Sequence, residues 1–257
     1  NGGWLQNGVK PNTAKIGDLI STMLTWETVR TWNVGLDWGM LNNRLTGSFD
    51  YYNRFTDNMV GPAPELPAVI GITAPKTNNC DLKTAGWELV LSWNDRLKNG
   101  FGYSAKMMLS DAQTTIESYP GNTTNSIWSY VGGRKTGEIW GYQTVGIAKT
   151  QEEMDAHLAK VGGQSFGSEW GAGDIMYADL DGKAGISEGA GTIDDHGDLK
   201  VIGNSTPRYF FGIDLSADWK GLDFRAFFQG VMKRDIWMNS NMFWGAVQDQ
   251  WWSTGLK

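Results

Sequence analysis

The sequence predicts an all-β chain, a portion of an antiparallel transmembrane β-barrel with long outer loops. Three observations carry that expectation. Stretches of alternating apolar and polar residues recur as hairpins whose apolar faces coincide. The turns inside the hairpins are short and the connections between them long, the asymmetry of a bacterial outer-membrane barrel. The composition favours strands and turns over helices: of 257 residues, 34 are Gly and 14 are Trp, and 19 % are charged.

The remaining composition narrows the class. A net charge of −6 speaks against nucleic acid as a partner. The single Cys80 excludes an intrachain disulfide framework. No run of about 18 apolar residues exists, so no helix is expected to cross a membrane. Barrel strands are half apolar and leave no such run. The chain begins Asn1-Gly2-Gly3, without an initiator Met or a signal peptide, which suggests a processed or partial chain.

Residues 1–25 read as loop, with a short strand at Lys15–Leu24. The first hairpin covers about 28–56. Trp32, Val34, Leu36, Trp38 and Met40 share one face, and Asn33, Gly35, Asp37 and Gly39 the other. Asn42-Asn43 suits a two-residue turn because Asn tolerates the left-handed region. Leu45, Gly47, Phe49 and Tyr51 then alternate with Thr46, Ser48, Asp50 and Tyr52. That turn pairs Met40 with Leu45, Trp38 with Gly47, Leu36 with Phe49 and Val34 with Tyr51.

Thr56–Lys83 contains four Pro and reads as a long loop. The second hairpin covers about 83–112. Trp87, Leu89, Leu91 and Trp93 form its first apolar face, a turn spans Asn94–Gly100, and Phe101, Tyr103, Ala105, Met107 and Leu109 form the second. The third hairpin covers about 206–236. Tyr209, Phe211, Ile213, Leu215, Ala217 and Trp219 face Leu222, Phe224, Ala226 and Phe228 across the Lys220-Gly221 turn. The implied register sets Trp219 opposite Leu222, Ala217 opposite Phe224, Leu215 opposite Ala226 and Ile213 opposite Phe228. Ten residues of strand reach about 33 Å. At a tilt of about 40° they span roughly 25 Å, the height of an outer-membrane apolar band. Aromatic rings at both ends suit the two interfaces.

Residues 113–205 leave and re-enter on the same side, so crossings within them must be even in number. Glu138–Ile147 reads as one strand, and no second of equal quality is evident. The stretch is therefore an extracellular excursion that does not cross. Within it, Thr150–Lys160 fits a helix with Thr150 as N-cap and Glu153 closing a capping box.

An ordered set of short pieces carries a family resemblance. It runs from Leu24-Thr25-Trp26-Glu27-Thr28 through Leu41-Asn42-Asn43-Arg44-Leu45-Thr46-Gly47-Ser48 and Asp50-Tyr51-Tyr52. It continues through Gly141-Tyr142, Gly146-Ile147, Gln151-Glu152-Glu153, Gly173-Asp174-Ile175 and Asp179-Leu180-Asp181-Gly182. It ends on Lys200-Val201-Ile202-Gly203-Asn204-Ser205-Thr206-Pro207-Arg208-Tyr209. In order and spacing the chain resembles the SusC/RagA family of TonB-dependent outer-membrane transporters. The resemblance implies a barrel of about 22 strands with an N-terminal plug. It also implies a TonB-contacting box, a SusD-like surface lipoprotein as lid, and import of oligosaccharides or peptides through the bacterial outer membrane. Nutrient uptake and polysaccharide utilisation go with that role. On this reading 1–257 is an internal piece of the barrel's C-terminal half, without the plug and the last strands. Six strands cannot close such a barrel.

Candidate site residues follow. Asp179 and Asp181 lie where the family often has an EF-hand-like calcium loop. Position five is Lys183, six is Ala184 and twelve is Ala190, so ligands are missing and a positive charge is added. The alternative is an acidic surface loop, to which Asp194, Asp195 and Asp198 would contribute. Calcium apart, no cofactor is expected. Trp140 and Tyr142, with Trp237, Phe243, Trp244, Trp251 and Trp252, offer aromatic faces for sugar stacking, or for loop packing and lid contact. Asn33, Asp37, Ser48, Asp50, Glu88, Ser92, Lys106, Asp214 and Arg225 fall on the polar faces and would line a lumen. His157 and His196 read as exposed loop histidines. Cys80 has no base nearby in sequence, and no catalytic constellation appears, so an enzyme is not expected. The competing hypothesis is a soluble secreted β-rich module that binds carbohydrate, with the apolar faces in a dry core.

Overall fold

The computed structural model describes Gly8 and residues 21–22, 24–62, 75–165 and 169–238. Of the strand expected at Lys15–Leu24 only Ser21, Thr22 and Leu24 are described, and none of these is in a strand; Phe243, Trp244, Trp251 and Trp252 lie outside the described residues. In chain order the elements are β1 (Thr28–Met40), β2 (Leu45–Gly61), β3 (Thr77–Arg96) and β4 (Gly102–Ser118). Then come β5 (Glu138–Tyr142), β6 (Thr144–Ile147), α1 (Gln151–Val161), β7 (Ile175–Tyr177), β8 (Leu199–Asn204), β9 (Arg208–Trp219) and β10 (Leu222–Lys233).

Six strands form one antiparallel sheet in the order β1-β2-β3-β4-β9-β10. The registers match those read from the turns: Val34 opposite Tyr51, Leu36 opposite Phe49, Ile213 opposite Phe228 and Trp219 opposite Leu222. Lys220 and Gly221 both take positive φ, 49° and 87°. That is the backbone of a hairpin turn whose twist suits the flanking strands. At the first turn Leu41 also has positive φ, at 54°, so the strands stop at Met40 and Leu45 and the connection spans 41–44. β4 pairs directly with β9, Ala105 opposite Leu215 and Lys106 opposite Asp214. The segment between them therefore inserts no strand into the sheet. Among the described residues, the outer edges of β1 and β10 have no strand partner.

The strands run further than the alternation indicated. β2 continues to Gly61, β3 begins at Thr77 and β4 ends at Ser118, so the connection is 62–76 rather than Thr56–Lys83. Most of the added residues are polar, with Met59, Val60, Leu82 and Ile116 scattered among them, which hides a strand from any reading based on apolar period. Cross-strand polar bonds hold them. Asn58 N–H donates to Asp81 Oδ1 at 2.9 Å, and Asn78 Nδ2 donates to Asn58 O at 2.7 Å. The Thr84 and Thr114 hydroxyls meet at 2.8 Å. A bulge falls between Thr56 and Val60, where Asn58 has φ 59°.

Within the excursion, the expected single strand is two. The chain changes partner at Gln143, so β5 pairs with β8 and β6 with β7. β7 and β8 are short and carry no alternation, so no apolar period marks them in the sequence. α1 starts as expected: Thr150 Oγ1 accepts the Glu153 N–H at 3.2 Å. The Glu153 carboxylate reaches one residue further back than a capping box requires, to the Lys149 N–H at 2.8 Å. Gly162, at φ 78°, closes the helix in the left-handed region. Ala148, Met154 and Met176 form a small core there, with Leu158 and Trp170 against it.

No such burial occurs on the apolar face of the sheet. Val34 is 66 % exposed, Leu36 64 % and Phe224 63 %. Trp32, Phe49, Ile213, Leu215 and Phe228 are exposed too. A soluble sandwich would bury these side chains under a second layer.

Candidate functional site

The chain leaving β4 folds back along it. Ile116 N–H donates to Arg134 O at 2.9 Å and Thr136 N–H to Thr114 O at 3.0 Å. Between these contacts Asn122 pins a tight loop. Its Oδ1 accepts the Ser126 N–H at 2.9 Å, and its Nδ2 donates to Ser126 O at 2.8 Å and Tyr130 O at 3.1 Å. Ile127 is buried and donates its N–H to Gly191 O at 2.9 Å. The next residue, Trp128, is 61 % exposed.

Trp140 lies in the middle of β5. The Arg134 guanidinium is 4.9 Å from its ring centroid and the His196 ring is 5.4 Å away. Arg134 is also paired with Glu138 at 2.9 Å. The Tyr142 ring meets that of Tyr177 at 5.5 Å. Burial pushes the Tyr142 phenol up to about 12, with help from Glu188, Asp198 and Tyr177. Two clefts open here. One of about 400 Å³ is lined by Ile116, Tyr119, Trp128, Tyr130, Arg134 and Trp140, among others. The other, of about 780 Å³, is lined by Trp128, Trp140, Tyr142, Tyr177, Ile202 and Trp237, among others. Trp140 thus lines both clefts and Tyr142 the second. Trp128 lines both but stands in a stretch without period. The only sequence signal for it was a Trp set among the turn formers Gly121, Asn122 and Ser126. His157 and His196 are half-buried rather than exposed: His157 sits on α1, and His196 packs against Trp140.

The acidic loop gathers Asp179, Asp181 and Asp198, whose oxygens come within 4.8 Å of one another. Asp198 is fully buried at 0 % exposure and accepts N–H groups from Leu180 at 2.6 Å, Asp181 at 3.3 Å and Ser187 at 2.9 Å. Asp179 accepts the Gly182 N–H at 2.7 Å, and Asp181 the Lys183 N–H at 2.8 Å. The Lys183 ammonium lies 3.2 Å from Asp181 and 3.5 Å from Asp195. The Lys183 N–H bond, and then the ammonium, hold the Asp181 carboxyl below its ordinary value, and Asp181 and Asp195 raise Lys183 in return. This donor set fits a calcium ion poorly. Position five of the loop is a cation and position twelve is Ala190, where calcium wants oxygens.

The opposite face of the sheet carries the expected polar residues and their ion pairs, Arg225 with Asp214 at 2.6 Å and Arg96 with Asp218 at 2.8 Å. Asp50 stands opposite Glu88. This face is not uniformly polar, since the registers also place Val90, Met108, Phe210, Phe227 and Val231 on it.

Comparison with known proteins agrees with this geometry. The family model described as TonB dependent receptor-like, beta-barrel, matches residues 2–232. The chain is 26 % identical over 237 residues to the TonB-dependent receptor P3 of Formosa agariphila, covering 88 % of this chain and 22 % of that receptor. Over 70 residues it is 39 % identical to the TonB-dependent receptor SusC of Bacteroides thetaiotaomicron, 27 % of this chain and 7 % of SusC. The RagAB peptide importer in its open-open state superposes with a TM-score of 0.56 at 22 % identity, covering 81 % of this chain and 21 % of that one. That likeness shows the fold. The chain spans about a fifth of the length of the curated receptors it matches over most of its own length.

Proposed function

Because the chain belongs to the TonB dependent receptor-like β-barrel family and is SusC/RagA-like within it, we propose that its whole protein is a bacterial outer-membrane transporter. It imports glycans, or peptides, through a plug opened by TonB and under a SusD-like surface lipoprotein. The observation that carries this reading is the uncovered apolar face. Val34, Leu36, Phe224 and their neighbours are ordered on paired strands, and among the described residues no second layer is packed over them. Lipid is the solvent such a face requires. The polar face then lines the lumen, where charges of both signs form local pairs instead of a filter of one sign. The connections 41–44, 97–101 and 220–221 face the periplasm, and the segment from Tyr119 to Pro207 faces outward.

Single cysteines test that orientation in cells producing the full protein. Lys160→Cys on α1 should react with a membrane-impermeant maleimide in intact cells, and Lys98→Cys in the short turn only after lysis. Labelling of Lys98→Cys in intact cells, or recovery of the protein in the soluble fraction, would overturn the proposal.

The acidic loop closes, on our reading, on Lys183 in place of calcium. Support comes from the ammonium already set between Asp181 and Asp195. The three N–H groups donated to Asp198 supply the rest of the neutralisation.

A further inference from the structure

We propose that Trp128 is the ligand-stacking platform of the outer clefts and that its ligand in the larger cleft is a neutral sugar ring. This rests on the transporter reading and names the chemistry of its outer site. Trp140 has ring neighbours already, Arg134 at 4.9 Å and His196 at 5.4 Å. Trp128 is 61 % exposed, yet its backbone is fixed between the Asn122 clamp and buried Ile127. A large ring held out on a rigid loop binds with little loss of conformational freedom.

Trp128 lines both clefts, which lie in the size range of small-ligand sites. It therefore stands where two consecutive units of a chain ligand would meet. Charge selects the ligand class. The smaller cleft carries Lys135 on its lining besides the Arg134–Glu138 pair, but in the larger cleft the one charged lining residue among the described residues is Glu138, already paired with Arg134 at 2.9 Å. A peptide terminus or an acidic sugar would find no free countercharge there. A neutral pyranose asks for none: its apolar C–H face lies on the negative face of an indole, and its hydroxyls reach the polar rim that Ser129 and Thr144 provide.

The test uses the full-length protein, purified in detergent, on an array of immobilised starch, laminarin, mannan, pectin and casein peptides. Wild type should be retained by a neutral polysaccharide. Trp128→Ala should weaken that retention about ten-fold or more, the loss expected for a hot-spot aromatic. Trp128→Phe should restore most of it, which a merely structural loss of the loop would not allow. An unchanged melting temperature shows that each variant is folded. Equal retention of Trp128→Ala and wild type would overturn the role of Trp128. Retention only on pectin or casein peptides, or on nothing, would overturn the neutral-sugar assignment. Neither result touches the membrane orientation of the barrel, which the maleimide labelling reads separately.

Discussion

Arg208, the first residue of β9, clamps the buried carboxylate of Asp111 in the middle of β4 with both Nε and Nη2. The next backbone N–H, from Tyr209, donates to the same carboxylate at 3.3 Å, and Tyr209 itself sits at φ 57°. The long excursion thus re-enters the sheet through a bidentate ion pair and a residue held in the left-handed region.

Removing one partner of this pair strands the other. Asp111 is 6 % exposed, so Arg208→Ala should cost about 3–5 kcal/mol. Arg208→Lys should recover little, because a point charge cannot form the fork. Thermal melting of the full protein in detergent reads the loss. A change under about 0.5 kcal/mol would show that the clamp is dispensable.

The two faces of β9 should respond in opposite ways to charge. Leu215→Arg puts a guanidinium on the lipid side and should destabilise folding into vesicles by about 2–4 kcal/mol. Ser216→Arg, one residue on, points to the polar side and should cost less, about 1 kcal/mol, from the lost Ser104 hydroxyl bond and the like charge of Arg225 opposite. Equal costs would contradict the assignment of faces.

The acidic loop should ignore calcium chelation. Adding EDTA should leave its protease resistance unchanged, whereas Lys183→Ala should make the segment 179–198 more susceptible. The Asp181 carboxyl is lowered in the fold. Its contribution is therefore present above the ordinary carboxylate value of about 4 and is lost as pH falls below that, through the folded value. Protease resistance should hold from neutral pH to about 5 and fall below about 4. A loss on EDTA treatment at neutral pH would favour a metal.

Tyr142 should stay protonated where ordinary phenols ionise. Its pKa is raised to about 12, so its share of stability is complete below about 10 and lost as pH rises toward the folded value. Spectroscopic titration of wild type against Tyr142→Phe should show no difference between about pH 9 and 11. A difference there would mean that the phenol is exposed.

Much of the sheet was legible because a half-apolar strand writes its period into the sequence. Trp32 to Met40 and Ile213 to Trp219 alternate, and a two-residue turn such as Lys220-Gly221 leaves one register. The outer parts of β2, β3 and β4 were not legible. Asn78, Asp81 and Thr84 are polar whichever face they take, and side-chain bonds hold them where apolar burial does not. The site was legible in part. Trp140 and Tyr142 sit in a readable strand, and Asp179 and Asp181 in a readable loop. Trp128 owes its position to Asn122, and Asp198 joins its partners from 17 residues away, contacts that no local pattern encodes.

The proposed barrel sets one face of this sheet against lipid and the other against water. Leu36 and Asp37 are adjacent on β1 and point to opposite faces. Spin labels placed by Leu36→Cys and Asp37→Cys, in full-length protein with Cys80→Ala and reconstituted in bilayers, compare the faces directly. The Leu36 label should collide with dissolved oxygen and be shielded from a water-soluble nickel chelate, and the Asp37 label should show the reverse. Two labels equally shielded from both reagents would place this face in a dry protein core and contradict the proposed barrel.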